Sequence, residues 1–313
     1  MSTRKSVPLL LLVLVIICCV TEYFAIHYIL NLTFTKSTVY NTSDRTVFTR
    51  RLPPGFNFVH QNRKSDDIRY FRREIEGLIS TSTDELGLAI EIRKWGRRQQ
   101  VNFGFGGNSD NPLKLLKEQR EGKAGACRRF GIILTTALVS AGFDARLVGA
   151  APDFSDHSFN HTFVEVWIEK LDKWILIDST YDCFYLVDGR LASLFEMYEV
   201  VKKGEFGRIS FQRDGSSYFP IPEVFIEDGE LSPLILSFKH IYIALSNAFA
   251  DGYGVRLFGK KSIDFIHYYD EETPGHPDGL KKNVMGFIVV NFLLLSALSV
   301  FLLLSFLRRR GTG

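Results

Sequence analysis

The chain has 313 residues, of which 46% are hydrophobic and 23% charged, and its net charge is +3. This length is enough for one or two domains with substantial cores, and the composition is typical of a folded protein. The small net charge, with no run of basic residues interleaved with aromatic ones, argues against nucleic acid as a partner. The composition therefore leaves membrane proteins, enzymes and binding modules as the classes to distinguish.

Two apolar segments at the ends of the chain predict membrane anchors, at residues 7–30 and 283–307. About 20 apolar residues span a bilayer, so the uncharged C-terminal segment is predicted to be a transmembrane helix. The N-terminal run is shorter, and a cleaved signal peptide is its alternative. Within this segment the uninterrupted apolar run, Val7 to Val20, is followed by Thr21-Glu22-Tyr23 in place of a small-residue cleavage site, which favours an uncleaved anchor.

Basic residues next to the two apolar segments predict their orientation. Arg4 and Lys5 precede the first segment, and Arg308–Arg310 follow the second. Because positively charged flanks stay on the cytoplasmic side, both termini are expected in the cytoplasm. Residues 31–282 are then expected on the opposite, extracytoplasmic side of the membrane. In a bacterium this is a protein of the cytoplasmic membrane with a periplasmic domain. Its expected partners are the lipid bilayer and, as a further candidate, a cell-envelope protein.

Between these segments the apolar periodicity predicts both helices and strands. Helices are expected over residues 66–80, 83–98, 112–121, 127–141 and 234–249, and strands over residues 145–151, 161–169 and 174–180. Gly142 is placed to end the fourth helix. The last two strands read as an antiparallel hairpin in which Trp167 faces Trp174. The predicted fold class is therefore α+β.

Three chemically active residues, Cys127, His161 and Asp178, stand in these elements. Cys127 opens a predicted helix, whose dipole lowers the pKa of a thiol at that end. His161 and Asp178 share one face of the hairpin, a diagonal step apart, within reach of each other. A thiol, an imidazole and a carboxylate are the parts of an acyl-transfer site. We expect the helix to cover this face of the hairpin and to place the thiol over His161.

Cys127 also has structural interpretations. Cys127 and Cys183 are the two thiols between the apolar segments, so they would be able to form a disulfide in an oxidising compartment. Cys127 alone would equally fit a small buried hydrophobic residue. The order and the shared face of His161 and Asp178 favour the catalytic interpretation over both.

Two further residues, His157 and Glu165, repeat with His161 at intervals of four, as metal ligands on a helix do. The stretch alternates like a strand, however, which would separate these groups along the chain. We therefore expect no metal and no cofactor. Glu165 is predicted to be a structural partner of Arg146 or of a tryptophan N–H, and not a catalytic base.

Four motifs between about Leu86 and Asp182 resemble the core of the transglutaminase-like superfamily. They are Gly125-Ala126-Cys127 opening a helix, Gly142 to Arg146 after that helix, His161 to Glu165 on a strand, and Trp174 to Asp178 on the next strand. The chain departs from the family pattern at Phe163, Ser179 and Arg128, none of which removes a catalytic group. In some members an upstream tryptophan donates to the oxyanion, but the helical position of Trp95 favours core packing.

The resemblance implies a papain/transglutaminase-like core, in which a helix opening with the cysteine packs on an antiparallel sheet. It also implies a catalytic triad of Cys127, His161 and Asp178. The chain is identified with the bacterial type of membrane-anchored protein that carries such a domain. The predicted parts are an anchor (7–30), a membrane-proximal linker (31–65), a transglutaminase-like catalytic domain (66–200), a smaller α+β extension or lid with a linker (201–280), and a transmembrane helix (283–307).

The expected function is that of a cysteine acyl-transfer enzyme acting on amide bonds of a peptide or protein substrate. Hydrolysis would make it a peptidase or amidase, and transfer to an amine would make it a transamidase. The alternative is a catalytically silent binding or scaffold module of a cell-envelope complex. The resemblance does not choose a substrate, because one fold serves many functions.

Overall fold

The computed structural model describes residues 39–50, 65–82, 84–104, 111–153, 160–213, 221–244 and 265–269, with Val20, Tyr23 and six positions between 286 and 294. The chain divides into two units, Thr38–Pro274 and the pair of terminal segments Met1–Ser37 and Gly275–Gly313. The predicted anchors at 7–30 and 283–307 belong to the terminal unit and lie almost entirely outside the described residues. No helix among the described residues is both long and apolar enough to cross a bilayer.

The central unit is built on one large sheet. The described strands are β1 Val39–Asn41, β2 Asn102–Phe103, β3 Ala124–Gly125, β4 Ala145–Ala151, β5 His161–Ile168, β6 Lys173–Asp178, β7 Cys183–Val187, β8 Arg190–Leu191, β9 Ile209–Gln212, β10 His240–Ala244 and β11 Phe265–Tyr269. Nine of them form a sheet in the order β1-β11-β10-β4-β5-β6-β7-β8, with β9 paired to β7. Strands β2 and β3 form a separate parallel pair. Apart from β1 with β11, the pairs of the large sheet are antiparallel.

Helices cover both faces of this sheet. The described helices are α1 Thr46–Thr49, α2 Asp66–Glu74, α3 Glu76–Thr81, α4 Glu85–Arg98, α5 Pro112–Arg120, α6 Cys127–Ala141, α7 Leu194–Lys202 and α8 Pro233–Ser237. Helix α6 has the predicted bounds and ends at Gly142, whose φ of 107° lies in the left-handed region that glycine favours. The helix predicted over 66–80 is divided into α2 and α3 at Ile75, which leaves the helical conformation.

The hairpin of β5 and β6 has the predicted register, with Trp167 opposite Trp174. Helix α6, however, packs on the other face of the hairpin from the one expected. Its apolar side chains lie in one core with the aliphatic residues of β5 and β6, among them Val164 and Ile177. The physical reason is that the aliphatic face matches the apolar side chains of α6, whereas the opposite face carries the buried Arg146–Glu165 ion pair and is covered by an aromatic core.

The second face of the hairpin is aromatic and carries a buried ion pair. Arg146 Nε donates to Glu165 Oε2 at 2.7 Å, and its guanidinium lies 3.9 Å from the ring centroid of Trp174. The same guanidinium donates to the carbonyls of Val47 and Phe48. These contacts tie α1 to the sheet and confirm Glu165 as a structural partner of Arg146.

Residues beyond 200 differ most from the sequence prediction. The helix predicted over 234–249 is wrong in its described part, because α8 ends at Ser237 and β10 follows at His240–Ala244. Ile241 and Ile243 are buried on one face of β10, which is a strand alternation that the helical pattern concealed. Strands β9, β10 and β11 belong to the main sheet, so the described part of this region does not form the separate α+β region expected. The remaining boundaries of the predicted linker and lid stay predictions.

Candidate active site

The thiol of Cys127 lies at the N-terminus of α6. The preceding residue, Ala126, is extended and provides no side-chain cap for the helix. The N–H groups of a first helical turn have no partner within the helix, so the N–H of Cys127 is placed to bind an anion. Gly125 makes the tight approach possible, since a Cβ there would lie 2.6 Å from the amide nitrogen of Gln119 and 2.7 Å from the ring of Phe130.

His161 and Asp178 meet at the ends of their strands, as the sequence predicted. His161 is the first residue of β5 and Asp178 the last of β6, and the distance from His161 Nε2 to Asp178 Oδ2 is 2.9 Å. Both side chains are buried. His161 also interacts with Cys127, and this interaction contributes to the raised pKa of the imidazole. The chain therefore brings the three predicted residues into one connected set.

Four donors hold the carboxylate of Asp178. Oδ2 accepts from the hydroxyl of Tyr185 at 2.9 Å, in addition to His161. Oδ1 accepts from the backbone N–H groups of Thr180 at 2.8 Å and of Tyr181 at 3.0 Å. A buried carboxylate with this number of donors has one fixed orientation, which in turn fixes the imidazole ring.

Thr162 explains how α6 delivers the thiol from the aliphatic face. Thr162 and His161 both lie close enough to Cys127 to lower the pKa of its thiol. A Cβ at Gly131 of α6 would lie 3.5 Å from the Thr162 methyl group, so the Thr162 side chain faces that helix. Neighbouring residues of a strand point to opposite faces. The Cys127 thiol is close to Thr162 on one face of β5 and to His161 on the other. It therefore lies beside the end of the strand, where both residues can be reached from one position.

The electrostatics favour a thiolate and an imidazolium. Burial raises the pKa of the Cys127 thiol, but the hydrogen bond and charge of His161, together with Thr162, outweigh it and bring this pKa below its usual value. Burial lowers the pKa of His161, yet the charge and hydrogen bond of Asp178 prevail and raise it to about 10. Because the thiolate is the reactive form of cysteine, this pair is suited to nucleophilic attack near neutral pH.

The second thiol of the described region is of another kind. Cys183 lies opposite Asp178 on β7 and is buried, and both Cys127 and Cys183 are free. The disulfide left open by the sequence is thus not formed. Burial, reinforced by the charge of Asp178, raises the pKa of Cys183 well above its usual value. The thiolate form is therefore disfavoured at Cys183 and favoured at Cys127.

Sequence reasoning missed Thr162 and Tyr185 as members of the site. The sequence did contain a signal for Tyr185. A short turn joins Asp178 to the strand that begins at Cys183, and pairing of Asp178 with Cys183 puts Tyr185 on the same face as Asp178. Nothing in the sequence indicated the contact of Thr162 with the thiol, which depends on where α6 crosses β5. Trp95 is buried against Phe71, which confirms its predicted place in the core.

Residues 74–179 match the family described as the transglutaminase-like superfamily, which confirms the resemblance drawn from the motifs. The match covers less than half of the chain and includes Cys127, His161 and Asp178. A solved structure from Cytophaga hutchinsonii, provisionally described as a cysteine protease, is similar at 14% identity with a TM-score of 0.29. The similarity covers 51% of this chain and 60% of that protein, less than two thirds of its length. No curated protein matches the chain.

The described residues therefore hold a mixed helix and sheet domain with a transglutaminase-like core. This superfamily match, and the proximity of the thiol, imidazole and carboxylate within the matched residues, are the two grounds for proposing a function.

Proposed function

We propose that the protein is a membrane-anchored cysteine acyl-transfer enzyme that acts on amide bonds of a peptide or protein substrate. The observation that carries this proposal is the connected set at the sheet end. The thiol of Cys127 and the ring of His161 interact closely enough to shift each other's pKa, and His161 Nε2 lies 2.9 Å from Asp178 Oδ2. Nucleophile, base and orienting carboxylate are thus within reach of one another.

In the first half of the reaction, the thiolate of Cys127 attacks the carbonyl carbon of the amide. The oxyanion that forms is stabilised by the N–H of Cys127 at the helix N-terminus. His161 donates a ring proton to the leaving nitrogen as the C–N bond breaks, which leaves a thioester on Cys127 and a neutral imidazole. Asp178 stabilises the imidazolium before this transfer and holds the ring in place during it.

In the second half, an acceptor attacks the thioester while His161 takes its proton. Water as acceptor gives a carboxylic acid, and the enzyme is then a peptidase or amidase. An amine as acceptor gives a new amide, and the enzyme is then a transamidase. Either route regenerates the thiolate and the imidazolium.

The placement in the membrane belongs to the same proposal. The basic flanks of the apolar segments support cytoplasmic termini and an outer, periplasmic domain. The helical residues Val290, Leu293 and Leu294 are 56%, 61% and 59% exposed, as lipid-facing side chains are. Protease added to intact spheroplasts should then cut within residues 31–282, and cleavage only after lysis would contradict this orientation.

The catalytic claim is tested with p-nitrophenyl acetate and the purified full-length chain in detergent. We expect a burst of p-nitrophenol equal to the protein concentration and an acetyl group on Cys127 in the mass spectrum. The Cys183→Ala variant should keep the burst, and Cys127→Ser should lose it. Turnover accelerated by an added primary amine would indicate a transamidase. A folded protein without a burst would support the silent binding or scaffold module instead.

A further inference from the structure

Arg129 lies in the first turn of α6, two residues after the candidate nucleophile Cys127. A positive charge there opposes the helix dipole, whose N-terminal end is itself positive, so the helix alone does not favour an arginine at this position. Two residues along a helix correspond to a rotation of about 200°, which places the side chains of Arg129 and Cys127 on opposite faces. Any role of Arg129 in the site therefore acts through its own partners and not through direct contact with the thiol.

The guanidinium of Arg129 makes two hydrogen bonds through its two terminal nitrogens. Nη1 donates to the carbonyl of Ala124 at 2.7 Å, and Nη2 donates to Glu118 Oε2 at 2.7 Å. The exposed fractions of the Arg129 and Glu118 side chains are 9% and 13%. A nearly buried ion pair whose cation also binds a carbonyl has little freedom to move. Arg129 thus joins the end of α5, where Glu118 lies, to the segment that enters α6.

The three carbonyls that precede the nucleophile are all hydrogen-bonded within the protein. The carbonyl of Ala124 accepts from the guanidinium of Arg129. The carbonyl of Gly125 accepts from the N–H of Gly104 at 3.0 Å, and that of Ala126 accepts from the N–H of Arg129 at 2.9 Å. Because the bond to Ala124 is made by a side chain, a substitution can remove it without removing the donors of the other two.

Gln119 packs against the same segment. Its side chain is fully buried, and its Nε2 donates to the carbonyl of Lys123 at 2.9 Å. A Cβ at Gly125 would lie 2.6 Å from Gln119 Nε2, so the segment lies directly against the end of α5. Gln119 and Arg129 together contact three consecutive residues, 123–125, of the segment that leads to the nucleophile. The path of the chain from α5 into α6 is therefore set by side chains of both helices.

We propose that Arg129, held by Glu118, is a positioning residue that orients the peptide before Cys127 so that the Cys127 N–H meets the oxyanion of the acyl-transfer reaction. The inference rests on the proposed function, since it concerns the same site. Arg129 acts through the backbone, because its guanidinium fixes the carbonyl of Ala124 three residues before the donor. A backbone donor helps only when it is aimed at the place that the oxyanion takes, so a small shift of this segment should slow acylation.

The test compares two reactions of the same thiol. Acylation by p-nitrophenyl acetate passes through an oxyanion, whereas alkylation by iodoacetamide displaces iodide at a saturated carbon and forms none. Both rates are measured at one pH on the full-length chain in detergent, with Cys183→Ala to isolate Cys127. In Arg129→Gln we expect the acylation rate to fall by about 10- to 100-fold, as for a misplaced catalytic group, while the alkylation rate stays near that of the parent. The ratio of acylation to alkylation thus reports the N–H donor separately from the reactivity of the thiol.

Conservative variants and a matched control sharpen this test. Arg129→Lys keeps the charge but not the planar guanidinium, so it should restore part of the ratio. Glu118→Gln keeps an acceptor and loses the charge, so its ratio should fall less than that of Arg129→Gln. Arg120→Gln removes another ion pair of α5, the one with Glu74, and should leave the ratio as it is.

An unchanged ratio in a folded Arg129→Gln protein would overturn the inference, because the arginine would then support the fold alone. Equal falls of both rates would also overturn it, since the arginine would then act on the thiolate. A parent protein without a burst of acylation would instead remove the proposed function, and the inference with it. Thermal unfolding checks each variant, and Glu118→Gln carries the test if Arg129→Gln does not fold.

Discussion

The two faces of the sheet around β5 and β6 differ in chemistry and contribute different parts of the candidate site. One face is aliphatic and carries α6, which brings Cys127. The other is aromatic and includes Tyr185, which bonds Asp178. His161, at the very start of β5, is the residue where both contributions meet. The site therefore depends on two separate cores. A substitution that disturbs either core should weaken the interaction of His161 with the Cys127 thiol.

The two faces also differ in their relation to the superfamily. The match at residues 74–179 contains α6 and the aliphatic residues of β5 and β6. The aromatic face is completed by residues outside that match, among them Tyr185, Phe195 and Phe238. Cys127 thus lies in the recognisable core, whereas the support of the Asp178 carboxylate comes in part from the rest of this chain.

Removing the residue that joins the two faces should have the largest effect. In His161→Ala the thiol loses its hydrogen-bond partner and its proton carrier, so the rate of acylation by p-nitrophenyl acetate should fall by about 10²–10⁴-fold. The measurement is the burst rate by stopped flow. His240→Ala, which removes a buried imidazole two strands away, is the control. A burst within a few fold of the parent rate would show that the thiol does not depend on His161.

The second largest effect is expected when the charge of the carboxylate that the aromatic face supports is removed. In Asp178→Asn the charge that raises the pKa of His161 is lost, so less imidazolium and less thiolate are present at neutral pH. The burst rate should fall by about 100-fold, within the range for loss of a positioned proton-transfer partner. Asp172→Asn, in the turn between β5 and β6, should leave the rate unchanged. An unaltered burst rate in Asp178→Asn would show that the carboxylate has no role in the acylation.

Stability should respond unequally to two arginine substitutions. Arg146→Gln leaves Glu165 buried without its cation and should lower the free energy of unfolding by about 3–5 kcal/mol. Arg208→Gln removes an exposed ion pair with Asp188 and should leave the free energy of unfolding nearly unchanged, because solvent screens exposed pairs. Urea denaturation of both variants measures the difference. Equal losses would mean that the aromatic face does not depend on its buried ion pair.

The smallest expected effect concerns the hydroxyl of Tyr185. Tyr185→Phe removes one of the four donors to Asp178 while keeping the ring, and should lower the free energy of unfolding by about 1 kcal/mol. The burst rate should fall by roughly fivefold, since the carboxylate keeps three donors. Tyr198→Phe, another buried tyrosine of the same core, is the control for stability. A loss of activity as large as that of Asp178→Asn would place Tyr185 in the proton transfer itself.

Local pattern was enough to predict the parts of the fold that lie within one element or one hairpin. The bounds of α6 and β4 and the pairing of Trp167 with Trp174 follow from periodicity and from a short turn. The meeting of His161 with Asp178 follows from the same register. These features depend on residues that are close in the chain, so the sequence carries them directly.

Long-range packing decided what the sequence did not predict. Strand β10 pairs with β4 and β11, and its segment reads as a helix when taken alone. The face that α6 covers depends on which side of the hairpin is covered by residues far away in the chain, among them Tyr185 and Phe238, and the proximity of Thr162 to the thiol follows from that packing. The predicted membrane segments lie almost entirely outside the described residues and stay predictions.

The pH dependence of the site has a defined sign. Since the pKa of Cys127 is lowered, its thiolate should persist at pH values at which an ordinary thiol is already protonated. Since the pKa of His161 is raised to about 10, its proton should be lost only as the pH rises through that value. Acylation should therefore be supported between these two limits.

The rate of Cys127 alkylation by iodoacetamide as a function of pH tests the central claim most directly. The full-length chain is used with Cys183→Ala, with and without His161→Ala. We predict reactivity that persists well below the pKa of about 8.5 of a free thiol, and that is lost at low pH when His161 is replaced. A rate that follows an ordinary thiol titration, and is the same in both proteins, would contradict an activated pair at the junction of the two faces.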